Sequence, residues 1–401
     1  MIFYQRLRVL FIKNDTFFFF DSKMLQNIHL YYIMLHKITI KLQIQSKYWL
    51  EIYSVVSLIY IENKEREELY KMSKKKQKKT SLKSAILLLL LMALLLITSS
   101  YAWFTANQTV TVSTLQVNVK ASNGLQISAD ATNWKTVLEK KDLSTAAGTY
   151  TDLVNQLPET NLEPVSSAGN VTDGKMDIFY GVVEADDTKG GEYYLSATKQ
   201  TDTTGTNGRY IAFDLFLKVD TDTTIYMTPN SKVTFAGDKD QGLKNAARVA
   251  FITEGNTTAG TDPSTMRKLS LTGGTADIWE PNYDTHTSLG VAAARDYYQV
   301  TTKTTGGSLI PYYGIKANIP ASTIPMKQVT TANPSDTYFS AITPTYKTVD
   351  SSTSTIEFKK LKAGVTKIRV YMWVEGQDVD CENGASGSDI KFDLQFTATA
   401  P

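Results

Sequence analysis

The chain of 401 residues holds a single cysteine, Cys381. No intrachain disulfide can form, so stability has to come from packing and sheet hydrogen bonds. Histidine is nearly as scarce: His29, His36 and His286 are the three present. No H-E-x-x-H occurs, and His286 alone cannot build a His-rich zinc set. The sequence also lacks G-x-S-x-G, a phosphate loop and a dinucleotide fingerprint. Residues 1–71 contain no glycine, alanine or proline, although the chain has 23 Gly and 11 Pro. A globular segment of that length normally uses these residues in its turns. All three have GC-rich codons, so residues 1–71 read as translation of AT-rich upstream DNA with no fold of their own. Met72 is then the expected start, and Arg66-Glu67-Glu68 can be encoded by a purine run like a ribosome-binding site.

The segment beginning at Met72 is ordered like an export signal. MSKKKQKKTSLKS is basic and has no acidic residue. AILLLLLMALLLI, from Ala85 to Ile97, is 13 residues long, well below the ~20 needed to span a bilayer. Ser100 and Ala102 then supply small residues at the −3 and −1 positions of a cleavage site, with Trp103 as the new N-terminus. Residues 72–102 are therefore expected to be a secretory signal peptide. It is the expected membrane contact, made only before cleavage.

Removing this leader changes the charge. The whole chain carries +2, but 26 basic and 33 acidic residues lie after Ala102, leaving about −7. That balance lacks the electrostatic footprint of a nucleic-acid partner. The remaining 299 residues, 103–401, suffice for one large domain. They are rich in Thr, Val, Ile and Tyr, which suit pleated, half-buried surfaces. Strict alternation marks strands. In YIAFDLFLKVD one face is Ile211, Phe213, Leu215, Leu217 and Val219. In KIRVYMWVEG it is Ile368, Val370, Met372 and Val374. In DIKFDLQF it is Ile390, Phe392, Leu394 and Phe396. The last two are expected to pair as a hairpin across the Gly-rich loop 376–388. Shorter strands are expected at 124–128, 176–183, 192–197, 224–227, 247–253, 297–302 and 355–358. Short helices are expected at 134–141 and 150–157. The predicted fold is all-β: an antiparallel β-sandwich, jelly-roll-like, as a single domain over residues 122–401 with a few short helices in loops.

Residues 103–121 precede that domain. Val110 and Val112 alternate with threonines; the phase then slips by one, and Leu115, Val117 and Val119 alternate with Gln116, Asn118 and Lys120. A one-residue slip predicts a bulge or bend. Such a strand can pair within its own sheet or fill an open edge on a neighbouring copy. Repeated head to tail, the second arrangement builds an open filament.

The unit KKKQKKTSLKSAILLLLLMALLLITSSYAWFTANQTV resembles the signal region of the TasA/camelysin family of secreted surface proteins of Bacillota, with its small-x-Ala-aromatic-Phe-Thr junction at Ser100, Ala102, Trp103, Phe104 and Thr105. LQISADATNW, LEPVSSAGN, GRYIAFDLFLKVD, NAARVAFI and VTKIRVYMWVEGQDVDCEN resemble segments of Bacillota surface proteins bearing that kind of signal. The resemblance implies processing by a SipW-type signal peptidase and a jelly-roll subunit of extracellular or biofilm-matrix fibres. It also implies Val110, Val112, Leu115, Val117 and Val119 as donor-strand residues, with another copy of the chain as partner. The sequence shows no wall-sorting motif or lipobox cysteine, so retention at the cell surface is expected to come from assembly.

Candidate chemistry is sparse, and no enzyme is expected. QDVDCENG sets Asp378, Asp380 and Glu382 at alternating positions, like the opening of a calcium loop, although Gly384 comes one position late. A solvated turn suits the same residues. A Cys381–His286 dyad is conceivable, but no spacing supports it. Trp279, Tyr283, Tyr297, Tyr298, Tyr312 and Tyr313 could form a sugar-stacking surface, which keeps a monomeric adhesin or carbohydrate-binding sandwich as the alternative function.

Overall fold

A computed structural model describes Val9–Lys13, Thr16–Phe20 and residues 111–399 apart from 121–123, 160–161, 237–239, 241, 289, 292–312, 330–334, 350–351 and 382–388. The chain divides into two units, Met1–Leu94 and Leu95–Pro401. In the first, Val9–Lys13 pairs antiparallel with Thr16–Phe20. A paired ribbon thus stands within the segment expected to have no fold. No helix among the described residues is long and apolar enough to cross a membrane; the leader lies outside them.

The second unit is an all-β sandwich with few short helices. Its two main sheets use twelve strands: β1 (Thr111–Lys120), β2 (Gln126–Ser128), β3 (Val137–Glu139), β4 (Ile211–Val219), β5 (Thr223–Met227), β6 (Lys232–Phe235), β7 (Ala247–Thr257), β8 (Asp277–Glu280), β9 (Tyr346–Lys347), β10 (Ile356–Leu361), β11 (Gly364–Val374) and β12 (Asp389–Thr397). One sheet runs β9-β8-β7-β11-β4-β2; the other runs β10-β5-β12-β1-β3, with β6 also on β12. Most pairs are antiparallel, but β1 with β12 and β8 with β9 are parallel.

The alternating faces meet in the core. Ile211, Phe213, Leu215, Leu217 and Val219 pack with Ile368, Val370, Met372 and Val374 on one side, and with Ile390, Phe392, Leu394 and Phe396 across from them. Phe251 of β7 meets Phe358 of β10 edge-on at 4.7 Å between centroids, and Phe358 lies 4.8 Å from Phe396. Such aromatic contacts add to the burial of the rings and tie the two sheets together.

β11 is buried along its whole length. Its far face is covered too, because Tyr371 and Trp373 join Ala212, Ala250, Ile252 and, from β8, Ile278 in a cluster with Val165, Met176, Ile178 and Tyr210. A smaller sheet of Phe179–Asp186, Glu192–Lys199 and Ile319–Pro325 has a separate core around Leu195, Ile315 and Phe339.

Three expectations are corrected. β11 and β12 do not form a hairpin: β7 and β4 occupy both edges of β11, so the chain crosses to the opposite sheet. The helix expected at 134–141 is strand β3 followed by helix α1 (Lys140–Thr149). The β-branched Thr136 and Val137 favour extension there, and the Glu139–Asp142 capping box starts the helix later. Residues 150–157 are turns and an isolated bridge rather than a helix. The strand expected at 297–302 lies outside the described residues.

Candidate functional site

β1 occupies a slot in its own sheet. It runs parallel to β12 over nine paired positions, from Asp389–Thr111 to Thr397–Lys120. Among the described residues its other edge meets three-residue β3, through Gln116–Glu139, Val117–Leu138 and Asn118–Val137. Ile390 pairs with Val112 and Lys391 with Thr114, so Ser113 is an extra residue. This is the one-residue slip seen in the alternation. Beyond it Leu115, Val117 and Val119 enter the core at 2%, 0% and 6% exposure. Burying three such side chains stabilises the sandwich by about 5–9 kcal/mol. Val112 lies in the strand; Val110, Ser100, Ala102 and Trp103 lie outside the described residues.

The second candidate is QDVDCENG. It is not a solvated turn: Glu375, Gln377, Asp378, Asp380 and Cys381 are all buried. Hydrogen bonds from Glu375 N to Ala246 O and from Gly376 N to Val165 O hold the segment as it leaves β11. Asp380 is met by residues from another part of the chain. His286 Nδ1 is 2.7 Å from Asp380 Oδ2, and Thr287 donates to Oδ1 through its backbone N–H at 2.8 Å and its hydroxyl at 2.9 Å. Asp378 Oδ1 accepts from Asp380 N at 2.8 Å, and Asp378 Oδ2 accepts from Arg248. Arg248 also donates to Glu280 at 2.8 Å.

Burial alone would push the His286 imidazole down; its hydrogen bond to Asp380, with the charges of Asp380 and Asp378, outweighs this and raises it. Burial raises the Glu280 carboxyl despite Arg248. Glu375 is pushed up to about 7, again by burial, although Trp373 Nε1 and Gln377 N each donate to it at 3.0 Å.

His286, Asp378 and Asp380 bring ligand atoms within 4.8 Å of one another, as a metal site would. Each carboxylate oxygen of the two aspartates nevertheless already accepts a protein hydrogen bond. Calcium needs six to eight oxygens, more than Asp378 and Asp380 supply by themselves. These hydrogen bonds form a latch that ties His286 and Thr287, Arg248 at the start of β7, and the segment after β11 to one another. Glu382 lies outside the described residues. Cys381 is buried, and His286 turns to Asp380 rather than forming a dyad with it.

The aromatic surface is not assembled as expected. Trp279 is fully buried in the core, while Tyr283 and Tyr313 are half-buried. Tyr297, Tyr298 and Tyr312 lie outside the described residues.

Arg248 and Glu280 escape sequence reasoning because Arg248 lies in a run, 247–253, that reads simply as a strand, and no motif marks Glu280 in DIWE. A lone arginine in an apolar strand is the available signal, since a buried guanidinium needs carboxylate partners. Comparison with family models, curated proteins and solved structures finds no match to this chain.

Proposed function

We propose that the chain is a secreted structural subunit of extracellular surface or biofilm-matrix fibres, assembled head to tail by donation of the N-terminal strand, without catalytic activity. The observation that carries this reading is the setting of β1. It is a separate strand at the N-terminal end of the sandwich, parallel to the last strand, with three core side chains and a short neighbour on its far edge. The same segment from another copy would offer the same backbone partners and side chains, which is the physical requirement for strand addition. A strand given to the next copy makes a heterologous contact, and repetition of that contact makes a filament. The basic, apolar and small-residue order of 72–102 supports export, with a SipW-type peptidase as the processing partner.

The test is negative-stain electron microscopy of residues 103–401 beside the same protein lacking 103–121. Filaments from the first and none from the second are expected. Folded monomers from the first at all concentrations overturn the reading. The second reading is a monomeric secreted adhesin, favoured by β1 filling a slot in its own sheet; glycan binding by those monomers would support it.

A further inference from the structure

The outer face of the β7-β11-β4 sheet carries a second polar cluster, away from the latch and independent of β1. Asp214 of β4 pairs with Arg369 of β11, and Lys367 pairs with Gly255 of β7. The register of β7 shifts between Thr253 and Gly255, which leaves Glu254 as the bulged residue beside Lys367. Asp214, Glu254 and Lys367 are 2%, 6% and 7% exposed. Lys367 Nζ lies 3.2 Å from Asp214 Oδ2 and donates to the carbonyls of Arg267 at 2.7 Å and Leu269 at 2.9 Å. Arg369 donates to Asp214 Oδ1 at 2.8 Å and to Asp202 at 2.7 Å. Glu254 Oε2 accepts from Leu271 N at 2.8 Å, whereas buried Oε1 has no hydrogen-bond partner among the described residues.

We propose that Lys367 and Asp214 condense into an intramolecular isopeptide bond between Nζ and Cγ, with Glu254 carrying the proton. An ammonium and a carboxylate do not condense in water, where both charged forms are well solvated. Here both groups are buried away from water, and fixed proximity replaces a bimolecular encounter. Burial also raises the Glu254 carboxyl, which lies close enough to feel the charges of Lys367 and Asp214.

The balance is complete without any further reagent. Lys367 begins with three protons on Nζ. One passes to the Asp214 carboxylate, making Nζ a neutral nucleophile and Asp214 an acid. Nζ attacks Cγ and the N–C bond forms. Glu254 gives its proton to Oδ2 and takes one from Nζ, ending as it began. The Cγ–Oδ2 bond breaks, and Oδ2 leaves with two protons as water. One hydrogen stays on the amide nitrogen, and Oδ1 remains as the carbonyl, accepting from Arg369. One positive and one negative charge vanish together, leaving Arg369 paired with Asp202. In a chain that cannot form a disulfide within itself, the bond would join two central strands covalently.

The experiment is tryptic mapping of the purified, denatured full chain by mass spectrometry. A bonded Lys367 resists trypsin, so a branched peptide joining 210–218 to 363–369, lighter by one water than their sum, is expected. Lys367→Arg abolishes it, and Glu254→Gln sharply reduces it. Only the linear peptides 210–218 and 363–367 from wild type would overturn the bond, whatever the variants do. Full formation in Glu254→Gln would overturn the role given to Glu254.

Discussion

Glu375 illustrates how little of a residue's chemistry can be inferred from its letter. It follows a strand, where an acid normally marks the turn into solvent, yet it is wholly buried among Trp373, Gln377 and Ser167. Its folded value, about 7, lies above its ordinary 4.5. The sign follows from linkage: a raised acid stabilises the fold below its ordinary value, and that contribution is lost as pH rises through the folded value. Raised His286 and Glu280 act in the same direction. The melting temperature should therefore fall between about pH 4.5 and 8. Glu375→Gln should remove roughly 3 kcal/mol of that dependence, as followed by thermal unfolding across pH. An unchanged pH profile would contradict the burial argument. Asp378 and Asp380 could be singled out from their spacing alone. Their partners Arg248, His286 and Thr287 could not, because 93 to 130 residues separate them in the chain.

Strand β1 is the element most nearly legible from the sequence. The shift from Val110 and Val112 to Leu115, Val117 and Val119 requires an extra residue, and Ser113 is that residue. The physical cause is the two-residue period of a strand, which lets a single insertion exchange the faces. Deleting Ser113 leaves Ile390–Val112 and Lys391–Thr114 as successive pairs, so it should change stability by less than about 1 kcal/mol. Inserting one glycine after Gln116 should turn Val117 and Val119 outward and remove about 3–5 kcal/mol. Urea unfolding of both variants checks the contrast; equal stabilities would contradict the register. The sequence suggests a helix over 134–141 because a three-residue strand has too short a pattern to compete with the helix beyond it. It suggests a β11–β12 hairpin because adjacency in sequence does not show which strand edges other strands have taken.

At the scale of the second unit, the two main sheets close over a shared core, and the first and last main strands lie side by side. Truncation to residues 122–401 should expose the slot beside β12. The synthetic peptide TVSTLQVNVK, added in trans, should bind there and raise the melting temperature in proportion to the logarithm of its concentration. A peptide with Val117→Asp should not. Equal effects from both peptides would mean that the slot is not selective and would count against strand exchange.

The sequence by itself determined the all-β class, the inward faces of β4, β11 and β12, and the slip in β1, because these depend on a local two-residue period. Only the tertiary structure decided which strand edges meet, that QDVDC is buried, and that Lys367, Arg369 and Asp214 share a covered face. Alternation tells one side of a strand from the other. Whether the second side meets water or another layer depends on segments far away in the chain, and that choice converts surface charges into a buried network.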